Sequence, residues 1–329
     1  MVRGNGGGCI LKLLKENRIL TDCFLVDDVY TDNSKKVKDG VKITSKEKLD
    51  PPFDEKRDAI IWAIASPKRI REVKDVEEEY FMIWDNGFWD DKEYYTDKQE
   101  EYEKAKNMLS DTSSKEVMDA FVKAQNGDIT DDLKLCIEGT YFNDVTKGKR
   151  EGGFIDCGSY DGESAIAYWN FIGKKCMVYA FEPDPYNFEN MKIKFKDENM
   201  VKLINKGCWS STTTLSFSVN GDMSSSLDEE GDQKVDVTTI DEVVGDSKIA
   251  FIKMDIEGAE LEALKGAKKT INRDMPILAI SAYHKKEDFV TLIPYLHSIK
   301  NANKHYQLFL LHHGCTSTEL VLYGIPCQD

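Results

Sequence analysis

The residues best suited to chemistry fall in three short blocks, each at the end of an apolar run. Phe154-Ile-Asp156-Cys-Gly158-Ser159-Tyr160-Asp-Gly162 puts a carboxylate at the end of a predicted strand, with two glycines spaced four apart in the turn that follows. Such glycines let backbone approach a ligand closely, and the N–H groups that open the next helix suit a carboxylate. Glu182, in Phe181-Glu182-Pro183-Asp184, ends the next apolar run 20 residues beyond Gly162. An acid there can accept both hydroxyls of a ribose. Phe251-Ile-Lys-Met-Asp255-Ile-Glu257-Gly-Ala-Glu260 sends two further carboxylates from the end of a later strand. Open α/β sheets bind their ligands in the crevice at such strand ends.

A ligand with an amino-acid end and a ribose fits the first two blocks, and S-adenosylmethionine has both. Asp156 can take its ammonium group, the turn through Gly158, Ser159, Tyr160 and Gly162 its carboxylate, and Glu182 with Pro183 its ribose. The glycine turn and the acid do not by themselves separate this methyl donor from NAD. The wider Gly-x-x-x-Gly spacing favours the methyl donor, since a dinucleotide fingerprint reads Gly-x-Gly-x-x-Gly. Gly207-Cys208-Trp209 follows the third strand, where an adenine could stack, although no acid follows that strand to hold its amino group.

Asp255 is the first choice for a general base or substrate anchor, with Glu257 second, because a sugar hydroxyl is a weak acid that needs help to lose its proton. A helix cap near Gly258 is the competing explanation of Glu257. All five histidines lie in the last 46 residues. His284 and His313 follow predicted strands on the same rim as Asp255, so either can serve as a base or a metal ligand. These carboxylates and histidines permit a divalent cation, but no ligand spacing demands one. Gly221 to Gly231 is small and polar, which suits a lid or an ordinary surface loop.

The elements that position these groups alternate regularly from Gly152. Strands are expected at Phe154-Ile155, Met177–Phe181, Val201–Ile204, Ile249–Met254 and Ile277–Ile280. Helices are expected at Glu163–Phe171, Tyr186–Phe195, after Asp255 with Leu261, Leu264, Ala267 and Ile271 on one face, and at Asp288–Ile299. A β-like stretch lies near Thr214–Val219, and Tyr306–Leu311 with Leu320–Tyr323 reads as a closing hairpin. The expectation is a doubly wound, seven-stranded, mostly parallel α/β sheet over residues 151–329.

Residues 1–85 read as a smaller Rossmann-like α/β domain, with glycines at Gly4 to Gly8, a helix at Ile10–Leu14, and strands at Phe24–Asp28, Gly40–Ile43 and Asp58–Ala65. A further helix begins near Pro67. Only three residues precede the glycines, so a nucleotide site and a docking domain both remain open there. Residues 86–150 form a helical connector, with a capping box at Ser113–Glu116 and a helix end at Gly127.

The chain has 329 residues, 41% apolar and 31% charged, with a net charge of -15. Such acidity repels phosphate backbones and argues against a nucleic-acid substrate. The eight cysteines form no Cys-x-x-Cys pair, a pattern of reduced thiols in the cytosol. No apolar run is long enough to span a bilayer, so membrane insertion is not expected. Oligomeric state is not legible.

From about Gly152 to Pro326 the chain resembles the FkbM methyltransferases. The resemblance is carried by Ile155–Gly162, Phe181-Glu-Pro183, Thr239-Ile-Asp241, Ile252–Glu260 and Tyr283-His-Lys285. It implies a class I methyltransferase fold, S-adenosylmethionine as donor, and O-methylation of saccharides, polysaccharides, glycolipids or polyketide-type products. It also implies that Asp156 to Gly162 and Glu182 bind the donor, while Asp255 and Glu257 line the reaction centre. The N-terminal third is similar to the Rossmann-like domain found before some members. Two other readings are an NAD-dependent nucleotide-sugar oxidoreductase and a catalytically dead binding module. Against the first, no Tyr-x-x-x-Lys pair follows the fourth strand; against the second, Asp156, Glu182 and Asp255 are intact.

Overall fold

The computed structural model describes residues 94–125, 135–137, 139, 141–148, 151–218, 226–227, 233–313 and 319–328, together with five short strands within residues 23–82. Among the latter, β1 (Cys23–Leu25), β2 (Val37–Lys38) and β3 (Val41–Thr44) form one sheet, with β1 and β3 parallel. β4 (Ile60–Trp62) pairs in parallel with β5 (Tyr80–Met82). Gly4 to Gly8, the helix at Ile10–Leu14, the helix near Pro67 and the helix end at Gly127 lie outside the described residues.

Three helices follow: α1 (Tyr94–Asp97), α2 (Gln99–Asn107) and α3 (Thr112–Gln125). The cap of α3 is Asp111, whose Oδ1 accepts from Ser114 N at 2.7 Å, and not the expected Ser113. The cap thus lies two residues earlier, and the buried Ser114 hydroxyl accepts the N–H of Leu310, 2.9 Å away in the main sheet. Ser110 Oγ does the same for Leu308 N at 2.8 Å. Two helix-side hydroxyls thus satisfy strand N–H groups that would otherwise be left unpaired.

The remaining elements are, in order, β6 (Gly153–Cys157), α4 (Glu163–Ile172), β7 (Val178–Phe181), α5 (Pro185–Lys194), β8 (Val201–Ile204) and β9 (Gly207–Cys208). Then come β10 (Thr213–Ser218), β11 (Ser226–Leu227), β12 (Gln233–Thr238), α6 (Ile240–Val244), β13 (Ile249–Met254), α7 (Glu260–Gly266) and α8 (Lys268–Asp274). The chain closes with β14 (Ile277–Ser281), α9 (Asp288–Ser298), β15 (Lys300–Asn301), β16 (Lys304–His312) and β17 (Leu320–Gln328).

The main sheet has the order β15-β16-β17-β14-β13-β6-β7-β8. Five neighbouring strands run parallel, and β17 enters antiparallel between β14 and β16. The sheet has eight strands where seven were expected. The extra one is the two-residue β15, which folds back on the start of β16 and is too short to leave a periodic signal.

Continuous burial along β6, β7, β13 and β14 follows from covering both faces. Side chains alternate between two cores. Phe154, Val178, Phe251 and Ala279 face α4 and α5, packing on Tyr168, Trp169 and Met191. Ile155, Phe181, Ile252 and Leu278 face the other side, with Leu264, Ile271, Phe289 and Leu296. Each fully buried large side chain contributes roughly 1.5–3 kcal/mol. The expected single helix after Asp255 is divided at Ala267 into α7 and α8. Asp241, in the Thr239-Ile-Asp241 block, caps α8 by accepting from Lys269 N and Thr270 N at 2.9 and 2.8 Å.

A separate sheet, β11-β10-β12-β9, stands beside the main one. Within the expected lid segment Gly221–Gly231, Ser226-Leu227 is β11, antiparallel to β10; the rest lies outside the described residues.

Candidate active site

The ends of β6, β7, β13 and β14 gather the expected groups along one edge. At the end of β6, Asp156 is fully buried beside Lys253, its register partner on β13. The ammonium lies 3.3 Å from Asp156 Oδ1 without a hydrogen bond to it, while Oδ2 accepts from the Ser164 hydroxyl. Lys253 donates instead to the carbonyls of Gly158 (2.7 Å) and Cys157 (3.4 Å), and sits under the Tyr141 ring at 5.3 Å. Burial opposes its charge, but Asp156 and Asp255 outweigh that and raise its pKa.

The turn after β6 is held from both sides. Gly158 has φ +75, and a Cβ there would stand 1.9 Å from the Asp255 carbonyl oxygen. Here the missing side chain makes room for the neighbouring loop, not directly for a ligand. Gly162, with φ +79, opens α4, and the neighbouring Asp161 Oδ1 accepts the helix's first N–H, that of Glu163, at 3.0 Å. The buried Ser159 hydroxyl donates to Asp156 O at 2.9 Å, while the Tyr160 side chain is 67% exposed at the surface of the turn.

Glu182 ends β7 with its carboxylate tied to both loops. Oε2 accepts from Tyr160 N at 2.8 Å and Oε1 from Asp184 N at 2.9 Å. Burial raises its pKa, with the two backbone donors acting in the opposite sense. Pro183 is half-buried beside it, and its carbonyl accepts from Asn205 Nδ2 at 3.2 Å. Cys208 lies deeper. Its thiol is buried against Cys157, and that burial pushes its pKa well up.

Asp255, just past β13, collects three neighbours. Tyr141 donates to Oδ2 at 2.9 Å and Tyr283 to Oδ1 at 3.2 Å, while His284 Nε2 stands 3.3 Å from Oδ1. Burial works against its ionisation. The His284 ring, the Lys253 charge and the Tyr141 hydroxyl outweigh it, holding the carboxyl well below the usual carboxylate range. Glu257, two residues on, takes a left-handed φ of +55 and is 62% exposed. Partial desolvation raises its pKa, Asp255 and Glu260 adding to the effect and His284 opposing it. Its Oε2 lies 3.8 Å from His284 Nε2.

His284, past β14, is 7% exposed, and its Nδ1 is 2.8 Å from Glu260 Oε1. Burial disfavours the charged ring, but Asp255 and Glu260 prevail and raise its pKa to about 10. His313 does not join this cluster. Its Nε2 bonds the Tyr323 hydroxyl at 2.7 Å, which in turn receives Asn143 Nδ2 at 2.9 Å. Burial, followed by His312, lowers the His313 pKa to about 4, so the ring is neutral near pH 7.

Lys253, Glu260, Tyr141 and Tyr283 were not singled out from sequence. A lysine inside the otherwise apolar Ile249–Met254 run was the available signal for Lys253, since a buried ammonium requires a carboxylate nearby. Tyr141 is 114 residues from Asp255 and gives no local signal. Among the described residues, no three or more His, Cys, Asp or Glu side chains are arranged to hold a metal ion. No described helix is long and apolar enough to cross a membrane.

Residues 156–314 match the family model of the methyltransferase FkbM domain. The chain therefore carries a methyltransferase FkbM domain. The match begins at Asp156 and takes in every expected site residue, whereas Tyr141 lies before it. Among solved structures, the chain is similar to methyltransferase FkbM from Methylobacillus flagellatus KT, at 23% identity and a TM-score of 0.67. That likeness covers 93% of this chain and 84% of the other, and concerns the fold. A putative rRNA methylase from Clostridium thermocellum (11% identity, TM-score 0.36) is covered over 91% of its length by 60% of this chain. An rRNA methylase from Streptococcus thermophilus (16%, 0.36) is covered over 88% by 54% of this chain. A comparison with curated proteins found no match.

Proposed function

We propose that this FkbM domain transfers the methyl group of S-adenosylmethionine to a hydroxyl oxygen of a saccharide or glycosylated acceptor. The observation that carries the reading is the grouping of Asp255, Glu257 and His284 at adjacent strand ends, beside the turn from Gly158 to Gly162. The residues present fit the donor. Glu182 is fixed by two backbone donors yet keeps unused acceptor sites for a ribose. When bound, S-adenosylmethionine supplies an electrophilic methyl group on a sulfonium.

The chain's own groups divide the remaining work. Glu257 is exposed and its pKa is raised, so it is the better proton acceptor, and its Oε2 receives the hydroxyl proton. Asp255, held ionised by two tyrosines and a cation, anchors the acceptor and is too weak a base to deprotonate it. This reverses the order expected from sequence. Asp156, enclosed with Lys253, acts by fixing the turn carbonyls and not by receiving the donor ammonium itself. Tyr141 and Tyr283 wall the centre and limit the entry of water.

Calorimetry with S-adenosylmethionine and with NAD, on the wild type and on Glu182→Ala, tests the cofactor. Micromolar-range binding of the methyl donor, lost in Glu182→Ala, supports the proposal. Tight NAD binding with no response to S-adenosylmethionine would overturn it in favour of an oxidoreductase.

A further inference from the structure

Glu260 closes the Asp255–Glu260 segment, and at 1% exposure it is out of reach of any substrate. Its Oε1 nevertheless makes two bonds that matter to the reaction centre. One is from Ile256 N at 3.0 Å, the amide between Asp255 and Glu257. The other, at 2.8 Å, is to His284 Nδ1. The carboxylate that orients the ring is therefore tied to the turn that carries both site carboxylates. The opposite ring nitrogen, Nε2, is buried and has no hydrogen-bond partner, yet it stands 3.3 Å from Asp255 Oδ1 and 3.8 Å from Glu257 Oε2. Buried polar groups are rarely left unpaired, so an unfilled ring nitrogen between two site carboxylates points to a ligand oxygen.

We infer that Glu260 is a positioning residue that holds His284 as a fixed cation, with Nε2–H aimed at the acceptor oxygen, so that the ring supports developing negative charge and does not remove the proton. This rests on the methyl-transfer reading above and adds to it a residue that acts only through another.

The groups facing the ring agree with this role. Asp255 and Glu257 approach from the turn after β13, Glu260 from α7, Asp288 from α9 and Glu319 from the start of β17. Tyr283, on the same strand end, lies against the ring with centroids 4.2 Å apart and planes tilted by 45°, and is uncharged. Burial and then Glu260 raise Asp288 to about 7, so its charge is only partial at neutral pH. The ring is thus surrounded by carboxyl groups, and preorganised charge of this kind is effective where water is scarce.

The test is a 15N-histidine NMR titration of the full chain, with His284 assigned by His284→Gln, run beside pH–rate profiles on hydroxyl acceptors from a glycan screen. The wild-type ring should stay protonated to about pH 10. In Glu260→Gln, which keeps size but removes charge, its proton affinity should fall at least tenfold. The alkaline limb of methyl transfer should move down with it, and Glu260→Asp should restore part of the difference. A ring that titrates near its ordinary value in the wild type, or is unmoved in Glu260→Gln, would overturn the inference. So would a limb that stays in place while the ring titration shifts, since a purely structural role predicts that. If the wild type transfers no methyl group to any acceptor while the ring behaves as described, the underlying reading fails and takes the positioning role with it, though the Glu260–His284 pair stands.

Discussion

His284 and His313 follow neighbouring parts of one sheet and looked equivalent in the sequence, yet they occupy opposite electrostatic environments. His284 lies among carboxylates and is raised to about 10, whereas His313 is buried against a tyrosine hydroxyl and is lowered to about 4. Burial acts on both rings in the same direction, disfavouring charge. What separates them is the company among the described residues: Glu260 and Asp255 for one, and Tyr323 for the other, with His312 adding repulsion. Strand-end position places a titratable residue near a site, and its charged neighbours decide whether it can act there.

The largest expected effect that tests this contrast is catalytic. His284→Gln should lower methyl transfer by ~10²–10³-fold, the scale of losing one donor to developing charge, while S-adenosylmethionine binding persists. His313→Gln should leave the rate within a few-fold and instead lower stability by about 1–3 kcal/mol, because the Tyr323 hydroxyl loses a buried partner. Steady-state rates and urea unfolding of the two variants separate these outcomes; equal loss of rate in both would break the comparison.

A third buried charge sharpens it. Lys253 is cationic like His284, but its counter-ion Asp156 is enclosed with it and excluded from solvent. Lys253→Met should cost about 3–5 kcal/mol, because it strands a buried carboxylate. A thermal melt reads this, and an unchanged midpoint would show that the pair does not hold the turn.

The pH dependence of stability should separate the rings in opposite directions. The raised His284 pKa contributes stability that is fully present below about pH 6.5 and is lost as pH rises through about 10. Wild type should therefore lose its advantage over His284→Gln across that window. The lowered His313 pKa means the unfolded chain takes up a proton first, so wild type should lose stability relative to His313→Gln as pH falls from 6.5 towards 4. Differences between melts of matched variants isolate each ring from Asp288, which titrates between these limits.

The smallest effect belongs to Tyr141. Tyr141→Phe keeps the ring over Lys253 and removes only the donor to Asp255, so the rate should fall about three- to tenfold, the equivalent of one hydrogen bond. A kinetic assay with donor binding as control reads it.

Much of this architecture was legible because its signals are local. Val201–Ile204 and Ile249–Met254 fall where their apolar runs predicted, and the second is buried along its whole length, as a strand covered on both faces must be. The second sheet was mostly missed. β10 reads Thr-Thr-Leu-Ser-Phe-Ser, a weak alternation whose partner β12 is determined only by long-range pairing. In the site, Asp255, Glu257 and His284 were visible as types at strand ends, and the structure brings them together. Their ranking was not visible, because it depends on Tyr141, Tyr283 and Glu260, which reach them from elsewhere in the fold. Gly158 was read as room for a ligand, but the space is filled by the Asp255 carbonyl, a contact between two loops that no single segment encodes.

The central claim is methylation of a hydroxyl oxygen, and following the fate of a labelled methyl group tests it most directly. Wild type, S-adenosylmethionine carrying a labelled methyl and a panel of glycans should yield a product whose label survives alkali as a methyl ether, and Glu257→Gln should slow its formation by two orders of magnitude or more, within the ~10²–10⁴-fold typical of proton-transfer catalysis. Label released by alkali as an ester, label on nitrogen, or a Glu257→Gln rate equal to wild type would contradict the account.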